Sequence, residues 1–129
     1  MGVSMINDIN NNIDLLQKSL EGLWKRNEII SNNIANAESS GYRAKDLDFE
    51  QVLQQYINKK ESVQPLDARE LRFSILDRQG LSVKENGNNV NVETEMVSLT
   101  ENNMKYDLAT EALRNQLELL RIVIEKSEG

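Results

Sequence analysis

The chain has no cysteine and no histidine among its 129 residues. Without cysteine there is no disulfide framework and no thiolate chemistry. Without histidine it lacks the commonest general base near neutral pH and the commonest metal ligand. Pro65 is the only proline, so long stretches are free to run as helix. Apolar residues make up 39%, below the usual globular share, which suits long two-faced helices better than a thick core. No apolar run approaches the length of a membrane span, so no direct membrane insertion is expected. The N-terminus lacks a basic segment followed by an apolar stretch, so no cleaved signal peptide is expected. The net charge is −6 with no long basic run, which argues against a nucleic-acid partner. Asp46/Asp48 and Glu93/Glu95 are close carboxylates, but neighbours two apart point away from each other on a helix. No phosphate-cradling glycine loop or serine elbow accompanies them. Neither an enzyme nor a cofactor or metal is expected.

What the chain does have is heptad spacing. Across about residues 5–37, Ile6, Ile9, Ile13, Leu16, Leu20, Leu23, Ile30, Ile34 and Ala37 recur at alternating steps of three and four, with Asn27 in the one polar slot. That is the seam of a helix that supercoils against a partner. Ser4 is placed to cap its start. Gly22 sits mid-helix, either tolerated or admitting a close neighbour. Ser39-Ser40-Gly41 closes the helix, with Gly41 suited to a left-handed end.

The middle segment, 42–91, begins as an extended connection. Asp48 with Gln51 reads as a capping box for a short helix over 49–59, whose Phe49, Val52, Leu53, Tyr56 and Ile57 share a face. Leu71–Leu76 reads as a strand, Gln79-Gly80 as a turn and Leu81–Val83 as a second strand, a small hairpin over 71–84. Asn86-Gly87-Asn88-Asn89 reads as a turn. A last helix over 92–126, capped by Asn91, carries its own seam through Val92, Met96, Leu99, Asn103, Tyr106, Thr110, Leu113, Leu117, Leu120 and Ile124.

Each long helix spans about 50 Å, and the short connection lets the two return antiparallel. Pairing residues whose numbers sum to about 130 sets Ile13 against Leu117, Leu16 against Leu113, Leu23 against Tyr106 and Asn27 against Asn103. The expected fold is one mainly α domain: two long antiparallel terminal helices in a coiled-coil-like pair, a short third helix, and a small irregular or β-hairpin middle. Leu15, Trp24, Ile29, Leu108, Leu119, Ile122 and Val123 lie off both seams. Unless the middle segment covers them, they mark a contact surface. A free-standing coiled-coil adaptor or homodimer is the alternative reading.

Ser31-Asn32-Asn33-Ile34-Ala35-Asn36, followed by Gly41-Tyr42, resembles a signature of the bacterial flagellar basal-body rod family, and of its proximal-rod members in particular. Arg43–Glu50 and Glu85–Met96 extend the resemblance, which covers about 5–60 and 84–126. One departure is Ser39-Ser40, where the family usually carries Thr-Pro or a similar pair. The resemblance implies a structural subunit that assembles helically through its terminal helices and transmits torque. It also implies export by the flagellar type III apparatus without a cleaved signal, and a place in the periplasmic rod. Implied partners are other rod subunits (itself and FlgC-like chains) and a FliE-like adaptor at the MS ring. Asn32, Asn33, Ile34, Ala35, Asn36, Gly41 and Tyr42 would form an ordered assembly motif. The amides would bind loose carbonyls or cross to a neighbouring chain.

Overall fold

The computed structural model describes residues 2–63 and 66–128, and of Glu128 the backbone alone. The elements are α1 (Gly2–Ala35), β1 (Lys45–Leu47), α2 (Phe49–Lys59), a 3-10 turn at Ala68–Glu70, β2 (Ile75–Asp77) and α3 (Val92–Glu128). The expected helix break at Pro65 lies outside the described residues.

Three of the expected elements are helices, and their placement follows the apolar spacing closely. α1 starts earlier than expected, so Ser4 is inside the helix rather than capping it. Its last turn tightens, with the Ala37 N–H donating to the Ile34 carbonyl at 3.2 Å, and Gly41 then takes φ +74°. α3 is capped as expected: Asn91 Oδ1 accepts from the Thr94 N–H at 3.1 Å. Asp48 does not cap α2. Its carboxylate accepts the Ser74 N–H at 2.6 Å instead, while its own N–H donates to the Ser74 carbonyl at 3.0 Å.

That exchange continues a two-stranded antiparallel sheet in which Lys45, Asp46 and Leu47 face Asp77, Leu76 and Ile75. The middle segment thus holds a small antiparallel pair, but β2 meets β1 and not residues 81–83. The physical reason is burial. Pairing with β1 puts Leu47 and Phe73 against α1, whereas 81–83 offers only Leu81 to a separate cluster.

α1 is the central element, with α3 along one side and the middle segment along the other. Three clusters of buried side chains are strung along it. Tyr56, Ala68 and Leu71 pack with Leu15 near its start. Leu23, Ile29, Leu47 and Phe49 pack at its middle with Phe73 and Ala109. Ala37, Ala44 and Val90 close its end with Tyr42 and Leu81. The rings of Phe49 and Phe73 stack at 5.4 Å over Gly22, where a Cβ would lie 2.7 Å from Phe73. Gly22 is therefore the seat of an aromatic pair.

Candidate assembly surface

The asparagine-rich corner is built from α1 outward. Asn33 is fully buried and fills all four of its hydrogen-bonding positions. Its Oδ1 accepts from the Tyr42 hydroxyl and the Lys45 N–H, both at 2.9 Å. Its Nδ2 donates to the Lys45 carbonyl at 2.8 Å and to Glu95 Oε2 at 3.1 Å. Burial, reinforced by Glu95 and opposed by Lys45, raises the Tyr42 phenol, so it stays neutral and donating. Asn36 bonds back to the Asn32 carbonyl at 2.8 Å. Asn32, Ala35 and Gly41 face solvent, and Ile34 is half-buried. Asn88 Nδ2 donates to the Asn36 and Ser39 carbonyls at 2.8 and 2.7 Å, which also accept the Ser39 and Tyr42 N–H groups. Asn89 Oδ1 accepts the Ala44 N–H at 2.6 Å. The buried amides thus fix the chain's own corner, while Asn32 faces solvent.

Glu95 begins a second network, which sequence reading missed. Its fully buried carboxylate lies 2.9 Å from Arg78 Nε in an ion pair not aligned as a hydrogen bond, and accepts from Arg78 Nη2 at 3.2 Å. Arg78 Nη1 is 3.6 Å from Asp46, and Asp46 takes Arg26 Nε at 3.1 Å. Arg26 also binds Glu50, which Lys105 reaches at 3.3 Å. Charges alternate from α3 through the sheet, α1 and α2 and back to α3. Burial alone would lower the Arg26 guanidinium, but Glu50 and Asp46 outweigh it and raise it. Burial alone would raise the Glu50 carboxyl, but Arg26 and Lys105 outweigh it and hold it below its ordinary value. The only sequence hint was the short-range carboxylate pairing, since the cations that answer it lie far away in the chain.

On α1 the predicted seam faces inward: Ile13, Leu23 and Ile30 are buried, and Leu16, Leu20, Asn27 and Ile34 half-buried. On α3 the inward face is turned by about one residue. Leu99, Leu113 and Leu120 are half-buried, but Met96, Asn103, Tyr106 and Leu117 are exposed. The residues preceding Met96, Asn103 and Leu117 point inward instead, with Glu95 and Asn102 buried and Gln116 half-buried, and Ala109 is half-buried beside Thr110. The turn has a cause. Glu95 is drawn in by Arg78 and Asn33, Asn102 Nδ2 donates to the Leu23 carbonyl at 2.8 Å, and Ala109 fits beneath the Leu23 cluster. The antiparallel register lies near the expected one. Asn27 donates to Asn103 at 2.8 Å and Asn12 to Gln116 at 3.2 Å, both at the solvent edge.

The off-seam residues fall into two groups, with Val123 half-buried and in neither. The middle segment covers Leu15 and Ile29. Trp24, Leu108, Leu119 and Ile122 stay exposed. With Val97 and Met104, also exposed, the three on α3 form one stripe. At 100° per residue, Val97, Met104, Leu108, Leu119 and Ile122 fall within about 60° of each other, on the side turned away from α1. The same window also holds exposed Glu101 and Asn115, so the apolar side chains fall in two patches along it, at 97–108 and 119–122, a pattern that marks contact surfaces on helices.

Among the described residues no group of three or more histidine, cysteine, aspartate or glutamate side chains could hold a metal ion, and no helix is long and apolar enough to cross a membrane. The chemistry offered is contact chemistry: a keyed helix pair, a braced middle segment and an uncovered apolar face. These features define a structural subunit that works through its surfaces.

No family model matches the chain. It is 30% identical over 119 residues to the flagellar basal body rod protein FlgB of Bacillus subtilis (strain 168), covering 87% of this chain and 92% of that protein. It is 29% identical to the FlgB of Buchnera aphidicola subsp. Acyrthosiphon pisum (strain APS), covering 94% and 99%. It is 27% identical to the FlgB of Escherichia coli (strain K12), covering 84% and 89%. The chain belongs to the FlgB family of flagellar basal-body rod proteins, as a structural subunit of that rod.

Proposed function

We propose that the chain builds the proximal part of the rod by laying the outer stripe of α3 against neighbouring subunits, in a helical assembly that carries torque. The uncovered stripe Val97, Met104, Leu108, Leu119 and Ile122 carries this reading. Exposed Trp24, and the bare end where Val3 and Met5 of α1 lie beyond the middle segment, add to the apolar surface seeking partners. In this reading the adjoining chains are copies of itself, FlgC-like rod subunits and a FliE-like adaptor at the MS ring. The subunit reaches the periplasm through the flagellar type III apparatus without losing a signal peptide. Asn32, Ile34, Ala35 and Gly41 shape the corner offered to neighbours, while Asn33, Asn36 and Tyr42 hold it rigid from within. Leu108→Asp tests the proposal, because Leu108 is the most exposed apolar side chain of the stripe, at 70%. The purified variant should keep the wild-type helical content and melting temperature but fail to restore swimming to a deletion strain. Wild-type swimming would refute the stripe as an assembly surface.

A further inference from the structure

Asn86 is the one asparagine of the chain that a glycine follows, and it lies exposed in the turn that packs on the end of α1. The fold demands that glycine. Gly87 takes φ +84°, a region that L side chains rarely enter, and a Cβ there would sit 3.3 Å from Gly41 Cα. The same lack of a side chain leaves the Gly87 nitrogen unhindered beside the Asn86 amide carbon. A peptide nitrogen so placed can close a five-membered ring on the preceding asparagine. Exposure gives no shelter from this reaction, since Asn86 is open to solvent. Hydrogen bonds give it. The Gly87 N–H donates to the Lys84 carbonyl at 2.9 Å, and the Lys84 N–H to the Asn88 carbonyl at 2.8 Å. The Asn86 carbonyl accepts the Gly41 N–H at 2.8 Å and the Ser40 hydroxyl at 3.2 Å. Asn86 Oδ1 accepts the Asn88 N–H at 3.1 Å, and Asn88 itself is fully buried. The attacking nitrogen, the amide it would attack and the peptide between them are each tied down.

We propose that Asn86 is a site of covalent self-modification gated by this corner: it stays intact while the corner is closed and deamidates when the corner opens. In the open turn the Gly87 nitrogen loses its hydrogen and attacks Asn86 Cγ. The N–Cγ bond forms, the Cγ–Nδ2 bond breaks, and ammonia leaves, giving a succinimide. Water then opens the ring. Breaking the bond from the nitrogen to Cγ gives aspartate, and breaking its bond to the backbone carbonyl carbon gives isoaspartate. Asparagine and water thus become a carboxylic acid and ammonia, with no change of oxidation state. Either product adds a negative charge next to Glu85. Isoaspartate also lengthens the backbone by a methylene, so the Asn86 carbonyl loses its fit to Gly41 and Ser40. Refolding does not reverse the change. The turn therefore records how long a subunit has stood open, and a marked subunit carries a distorted corner.

The test ages the purified full chain in mildly alkaline buffer, with and without denaturing guanidinium chloride, and follows each asparagine by peptide mapping and mass spectrometry. In denaturant Asn86 should convert before any other asparagine, to aspartate and isoaspartate together. In the folded chain it should convert at least about tenfold more slowly, because reaction there waits on local opening. Gly41→Ala puts a Cβ into the left-handed turn and loosens the corner from its far side. It should raise the folded-state rate at least about threefold, with helical content kept by circular dichroism, and leave the rate in denaturant unchanged. Should Gly41→Ala lose its helices, Ser40→Ala serves in its place, since it removes only the hydroxyl bond to the Asn86 carbonyl and should also speed the folded chain alone. Earlier conversion at another asparagine, a folded rate within tenfold of the denatured one, or a folded variant no faster than wild type would overturn the proposal.

Discussion

Gly22→Ala sets helix propensity directly against packing. On an exposed helix, replacing glycine by alanine stabilises by about 1 kcal/mol. At Gly22 the new Cβ would lie 2.7 Å from Phe73 Cε2 and 2.8 Å from Phe49 Cδ2. Carbon atoms pack best at about 3.5–4.0 Å, so both rings must retreat by roughly 1 Å. Phe49 is 6% exposed and stacked on Phe73, so the Phe49 ring has little space to retreat and the half-buried Phe73 ring must move away from its partner. Overpacking of this kind costs about 1–3 kcal/mol, and disturbing the aromatic pair adds about 0.5–1.5 kcal/mol. The contact outweighs the propensity, and the variant should be destabilised by about 2 kcal/mol. For a domain of this size that lowers the melting temperature by roughly 8 °C. Circular-dichroism melts and urea titrations of the purified chain read it directly. In a Phe73→Ala background, which removes half of the obstruction, the cost should shrink by at least about 1 kcal/mol. A melting temperature at or above wild type for Gly22→Ala alone would refute the packing argument.

Asn33→Ala removes four hydrogen bonds and strands Glu95 and Lys45 backbone groups in the interior, so urea unfolding should show a loss of about 2–4 kcal/mol. Arg78→Met leaves the fully buried Glu95 without its cation, which should lower stability in urea titrations by about 3–5 kcal/mol. The Glu50 carboxyl is held below its ordinary value by Arg26 and Lys105. Its contribution is therefore complete above the unfolded-state value, about 4.3, and is lost as pH falls through the lower folded value. Melting temperatures should accordingly hold steady from pH 6 to 8 and drop below about pH 4.5, and the drop should weaken in Glu50→Gln. Cysteines placed at Asn27 and Asn103, whose amides meet at 2.8 Å, should form a disulfide within one chain. Failure to oxidise, seen as unchanged gel mobility, would correct the register of the helix pair.

The apolar spacing was enough to place α1, α2 and α3, because helix periodicity depends on residues close in sequence, and matching the two heptad seams then aligned the long pair through Asn27 and Asn103. It misplaced the inward face of α3, since counting apolar residues selects Met96, Leu117 and Ile124 over Glu95, Asn102 and Gln116. The groups that draw Glu95 and Asn102 inward are Arg78, Asn33 and the Leu23 carbonyl, which lie between 17 and 79 residues away. The partner of β2 was hidden for the same reason, as Asp48 reads locally as a helix cap while it bonds Ser74 across the sheet. Asn33 was singled out for its amide chemistry, and Asn88 and Asn89 only as turn formers. Their carbonyl and N–H partners become apparent once α1 and the loop before α3 are brought together.

The long helices meet through amides as well as hydrocarbon: Asn12 with Gln116, Asn102 with the Leu23 carbonyl, Asn27 with Asn103, and Asn33 with Glu95. Oil tolerates sliding, whereas an amide displaced by one helical step loses its mate. Spaced along the hairpin, these four joints act like teeth, and axial shear must strip them together. Resistance to sliding is thus built into each single subunit, before any neighbour is added.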